Sequence, residues 1–137
     1  MSEWINTDEA IAPHVADGHT VSDPGVYAVE IGVPEQTGYE SLSRDWLKHY
    51  DSTPPYLGRI VDAKRVIYVG ASKNVRDRIE EHRKGEVRKA TLPRLWGITD
   101  VVDVWWYDDA SRAFERENHH ALELSKETPS TVYVHSR

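Results

Sequence analysis

The chain has 137 residues, no cysteine and a net charge of −6, with 39% hydrophobic and 29% charged residues. That length suits one compact domain; the missing cysteine excludes disulfides and thiolate metal centres, and five Trp with seven Tyr argue against a disordered polymer. No apolar run approaches the roughly 18 residues of a membrane span, and residues 1–10 lack the apolar stretch of a signal peptide, so the expected setting is cytoplasmic, without membrane contact.

Residues 1–22 read as an N-terminal extension, with a short helix over 7–15 interrupted by Pro13. Asp23-Pro24-Gly25 is turn chemistry and leads into a short strand over 26–31. Residues 32–62 contain Pro34, Gly38, Pro54, Pro55 and Gly58, so no long element crosses them. A helical turn or two is predicted within 41–50, where Leu42, Trp46 and Leu47 fall on one side. The clearest strand is 65–69, rich in β-branched and aromatic residues.

Ser72 or Asn74 can cap a helix running to about residue 84, where Gly85 ends it. On that helix Val75, Ile79 and His82 share one face. Pro93 and Gly97 break up the link that follows, and a strand heavy in Val and Trp is expected over 101–107. Asp108-Asp109 start a second helix lasting to about residue 126, which Pro129 prevents from extending. Residues 131–134 form a last strand. This order predicts the α/β (α+β) class: a small, mostly antiparallel sheet flanked by helices.

The charge is unevenly spread. Residues 1–63 carry 11 acids against 3 bases, whereas residues 73–94 carry 8 bases against 4 acids. Phosphate binding follows local positive potential more than total charge. Lys73, Arg76, Arg83, Lys84, Arg88 and Lys89 are therefore candidate DNA contacts, the plain alternative being a solvated helix face.

Glu117 tests whether the chain carries chemistry. At roughly 100° per residue, with Ala113 at zero, Ala110, Phe114, Ala121 and Leu124 fall between about 20° and 100° and Glu117 near 40°. A carboxylate inside that apolar stripe is costly unless it meets a cation. It suits a hard cation such as Mg²⁺, or a structural bridge to an arginine. Arg78 can hold two phosphate oxygens at once. His82, one turn on, can relay a proton or bind phosphate, or simply fill a half-buried site. Tyr27 and Tyr68 lie on adjacent predicted strands, where aromatic pairs commonly fill core. Their hydroxyls can instead reach a reacting centre, although a phenol with a pKa of about 10 is a poor base without help. His119 and His120 point about 100° apart on a helix and do not readily serve one ion.

Taken together, Gly25-Val26-Tyr27, Tyr68-Val69-Gly70, Arg78, His82 and Glu117 resemble the GIY-YIG nuclease superfamily. The resemblance implies one divalent metal, Mg²⁺ or Mn²⁺, at Glu117 and hydrolysis of a DNA strand to 5′-phosphate and 3′-hydroxyl ends. In that scheme Tyr27 assists an attacking water, Arg78 steadies the phosphate, and Tyr68 and His82 complete the catalytic set. Two features depart from the family pattern: 40 residues separate Tyr27 from Tyr68, which makes about 32–63 an insertion, and Ser130, Thr131 and Val132 follow Pro129 where the family often has an asparagine. Two functions follow as expectations. One is a metal-dependent DNA endonuclease, structure-selective or directed by a targeting protein; the other is a non-catalytic module of the same fold that binds nucleic acid or a protein partner.

Overall fold

The computed structural model describes residues 6–34, 38–87 and 89–136. Asn6 starts α1 (Thr7–Ile11) by accepting a hydrogen bond from the backbone N–H of Asp8 at 2.8 Å. Pro13 then tightens the chain into a 3-10 turn at Ala12–His14. This first segment belongs to the packed body. Ile11 is fully buried, the Trp106 indole N–H donates to the carbonyl of His14 at 2.8 Å, and the backbone N–H of Arg76 donates to the carbonyl oxygen of Val21 at 2.9 Å.

Four strands, β1 (Gly25–Ile31), β2 (Arg65–Ser72), β3 (Ile98–Trp106) and β4 (Val132–Ser136), form one sheet in the order β3-β1-β2-β4. β1 runs antiparallel to both neighbours, while β4 is parallel to β2. The sheet is thus mostly antiparallel and flanked by helices, as the sequence predicts. A parallel pair needs a long crossover, and everything from α4 to α6 supplies it.

The strands alternate sides with period two. Val26, Ala28, Ile67, Val69 and Ala71 face α6 (Ala110–Glu127), which meets them with Ala113, Ala121 and Leu124. Tyr27, Val29 and Tyr68 face the other way, against α4 (Val75–Arg83) through Val75 and Ile79. α2 (Tyr39–Leu47) and α3 (Leu57–Asp62) close the same side with Leu42, Trp46, Leu57 and Ile60. The segment read as an insertion is therefore core-bearing. Tyr56, at the start of α3, lies against His135 and Tyr133 of β4 with ring centroids 4.6 and 6.1 Å apart, and burial pushes its hydroxyl up to about 12.

Two helices were not expected from the sequence. α5 (Thr91–Trp96) contains Pro93, which reads as a breaker. Pro93 sits in the first turn, where a missing N–H costs no intrahelical bond, and Gly97, at φ 76°, ends the helix. α3 forms just after Pro54-Pro55 and holds only six residues, too short for its periodicity to show. β2 also runs three residues beyond the expected end, to Ser72, which brings Gly70 and Ala71 into the sheet. Among the described residues no helix is long and apolar enough to cross a membrane.

Candidate active site

Two close approaches build the site from the two motif glycines. A Cβ on Gly25 would stand 2.8 Å from the carbonyl oxygen of Trp105 and 3.0 Å from Cγ2 of Val75. Only glycine lets β3 and α4 close on β1 there. Gly70 is the cross-strand partner of Tyr27, and a Cβ on it would overlap the Tyr27 ring and hydroxyl. With that space open, Tyr27 lies across β2 toward α4, and its Oη comes within 2.6 Å of His82 Nε2. Tyr68, two residues before Gly70 on the same face, meets the His82 ring edge-on at 5.5 Å.

Asn74 caps α4 by accepting from the backbone N–H of Asp77 at 3.0 Å. This fixes the helix phase and so the directions of Arg78 and His82, one turn apart. Glu117 arrives from the opposite side of the sheet. It is only 7% exposed and sits with Ala113, Ala121 and Leu124 on the buried stripe of α6. Pairing with β4 ends at Val69, so among the described residues β2 has an open outer edge from Gly70 onward. Around that edge the two faces meet. Tyr27, Tyr68, Arg78, His82 and Glu117 line one narrow pocket, joined by Lys89.

His82 is 1% exposed, and burial first, then the Arg78 charge, push its pKa down to about 4. It is therefore neutral near pH 7 and offers no cation to a phosphate. Its Nδ1 has no hydrogen-bond partner. A hydrogen on Nδ1 would bury an unsatisfied donor, whereas a hydrogen on Nε2 leaves only a lone pair unmatched. On that ground we assign the hydrogen to Nε2, which then donates to Tyr27 Oη.

The basic residues divide into those that line the pocket and its neighbouring cleft and those engaged with acids. Lys89 joins the pocket, and Lys73 lies in an adjoining cleft with Arg78. Arg76, Arg83 and Lys84 are engaged with carboxylates: Arg76 with Asp8 at 2.8 Å, Arg83 with Glu80 at 2.8 Å and Lys84 with Glu80 at 3.6 Å. Hydrogen bonds from Arg83 and then from Thr7 hold Glu80 down to about 2. Arg88 lies outside the described residues. His135 was not singled out in the sequence, yet it pairs with Tyr68 in register and stacks on it at 6.1 Å, its Nδ1 hydrogen-bonded to the Tyr133 hydroxyl at 2.9 Å. Strand register, which no local pattern encodes, is what brings it there.

A larger groove of about 560 Å³ lies at the far end of β1 and β2. Its Glu30 and Arg65 satisfy each other at 2.8 Å, and neither tyrosine reaches it. No group of three or more metal-ligating side chains occurs among the described residues. One carboxylate and two tyrosines lining the same pocket supply oxygen donors of the kind a hard cation takes, and the pocket, at about 10 Å³, has room for about one water-sized group. The family model for the GIY-YIG catalytic domain matches residues 56–128. No curated protein and no solved structure gave a match.

Proposed function

The chain belongs to the GIY-YIG family, whose domains are typically those of endonucleases acting on DNA, and we propose that it is itself a divalent-metal-dependent endonuclease that hydrolyses DNA phosphodiesters. The observation that carries this reading is the convergence of Tyr27, Tyr68, Arg78, His82 and Glu117, from four elements and both faces of the sheet, on one pocket. An acid–base group, a fixed cation and a buried carboxylate are what in-line phosphoryl transfer requires.

Each residue has a chemical task in this reading. Tyr27 Oη takes the proton of the attacking water. His82 makes that possible by donating from Nε2 to the phenolate, and Arg78, which faces the same pocket, adds positive charge. The guanidinium of Arg78 holds non-bridging oxygens of the scissile phosphate as negative charge grows. Tyr68, wedged between His82 and His135, orients the water or the phosphate through its hydroxyl. Lys89 lends a further charge to the strand backbone. Glu117 would hold Mg²⁺ or Mn²⁺, which supplies stabilisation of charge on the leaving oxygen. The P–O3′ bond breaks, giving a 5′-phosphate and a 3′-hydroxyl that takes its proton from solvent.

The basic surface beside the pocket is small, because Arg76, Arg83 and Lys84 are already paired with acids. Such a surface suits selection of a DNA structure, or delivery by a targeting protein, better than the reading of a long sequence. Supercoiled plasmid and branched DNA incubated with Mg²⁺, Mn²⁺ or chelator test the reading. Metal-dependent nicking that prefers the branched substrate is expected. Binding without cutting in either metal would instead favour a non-catalytic module.

A further inference from the structure

Phe114 is the only phenylalanine in the chain. Its place on the helical wheel puts it in the apolar stripe of α6, yet it is 47% exposed while Ala113, Glu117, Ala121 and Leu124 are buried. A lone exposed apolar residue needs no explanation. What matters is where this one stands. It lies one turn before Glu117, and with Ala110 it forms the apolar wall of a cleft of about 410 Å³. The opposite wall is polar: Lys73 and Asn74 before α4, with Asp77, Arg78 and Glu81 along it. Arg78 lines both this cleft and the Tyr27–Glu117 pocket.

A nucleobase has the matching anatomy, two apolar faces and an edge of donors and acceptors. Aromatic side chains stack any base, since every base presents a π face. Lys73 and Arg78 suit the phosphates on either side of such a base, with Arg78 exchanging its 3.6 Å contact to Glu81 for a phosphate oxygen, and the Glu81 carboxylate so released can accept from an exocyclic amino group; Asp77 stays with Arg76 at 3.4 Å. A base inside a continuous duplex has both faces covered by its neighbours and cannot reach a slot between two helices. An unpaired base can.

We propose that Phe114 is the stacking platform of a nucleobase subsite, which takes an unpaired DNA base next to the phosphate held at Arg78. This rests on the endonuclease reading for the place of the phosphate. It names the feature by which that site would select its substrate: a flap, gap or junction with a free base beside the cut.

The test uses synthetic flap DNA carrying the fluorescent base 2-aminopurine at successive unpaired positions, titrated with the full chain in chelator so that nothing is cut. Quenching at one position beside the junction is expected. Phe114→Ala should abolish that quench and weaken flap binding roughly 5- to 150-fold, the range for losing one stacked base. Phe114→Trp should restore both, and Leu122→Ala, at a site equally exposed on α6, should change neither. Phe114 is half-exposed, so circular dichroism of the variants should match that of the wild type. No quench at any position, or equal quench and affinity in Phe114→Ala, overturns the proposal. The same flap with Mg²⁺ separates the two claims. Cutting that Phe114→Ala leaves unaltered sinks the subsite and spares the nuclease; a Phe114-dependent quench without any cutting does the reverse.

Discussion

Replacing His82 with glutamine isolates the buried imidazole as a source of pH-dependent stability. The histidine pKa is about 4 in the fold, lowered mainly by burial, against the ordinary 6.5 when unfolded. Between these values the unfolded chain binds the proton and the folded chain does not, so stability falls as pH drops from 6.5 toward 4. Integrating the linkage from pH 7 to pH 5 gives a loss of about 2 kcal/mol from this one group. His120 and His135 are also lowered by burial, but they stay in both proteins and cancel in the difference. Urea denaturation of wild type and His82→Gln at pH 7 and pH 5 measures it. The wild type should lose about 2 kcal/mol more than the variant over this interval, even though the variant starts lower because its hydrogen bond to Tyr27 is altered. Equal losses in the two proteins would mean that His82 is not held neutral by the fold. Its assignment as the Nε2 donor to Tyr27 would then fall as well.

Gly70→Ala puts a methyl group where the Tyr27 ring and hydroxyl lie; it should lower stability by about 1–3 kcal/mol through overpacking and reduce cleavage far more than DNA affinity, as read by gel shift beside single-turnover cutting. A fall in binding that matched the fall in rate would show that Gly70 shapes only the surface. Arg78→Lys keeps the charge but loses the two-pronged grip, and should slow cleavage by roughly 100-fold, as removal of one donor to a developing oxyanion does; a lysine variant close to wild type would reduce Arg78 to a point charge.

Much of this site was legible because it is written in short, local patterns. Tyr-Val-Gly on a β-branched strand, an Asn cap and a helix with Arg78 and His82 one turn apart all declare themselves in the sequence. So does Glu117, a carboxylate in an otherwise apolar helical stripe, and the structure buries that stripe as expected except for Phe114. What escaped depends on register and chain packing. Nothing local says that Tyr27 pairs with Gly70 rather than with Tyr68, that among the described residues the pairing of β4 with β2 reaches only to Val69, or that His135 lands on Tyr68. Pro93 misled because the same residue that breaks a helix interior is welcome in a first turn. Of the bases over 73–94, Arg76 meets Asp8, 68 positions away and invisible to any local pattern, whereas Arg83 and Lys84 meet Glu80 one turn back on the same stretch of chain.

Glu117→Gln asks whether the buried carboxylate at the meeting of the two sheet faces holds a catalytic cation. Wild type and variant are compared for Mg²⁺-dependent nicking of branched DNA, with thermal unfolding followed on the same preparations. The variant should fold, still bind the DNA, and cut no faster than wild type in chelator. Undiminished Mg²⁺-dependent cutting by a folded Glu117→Gln protein would contradict it.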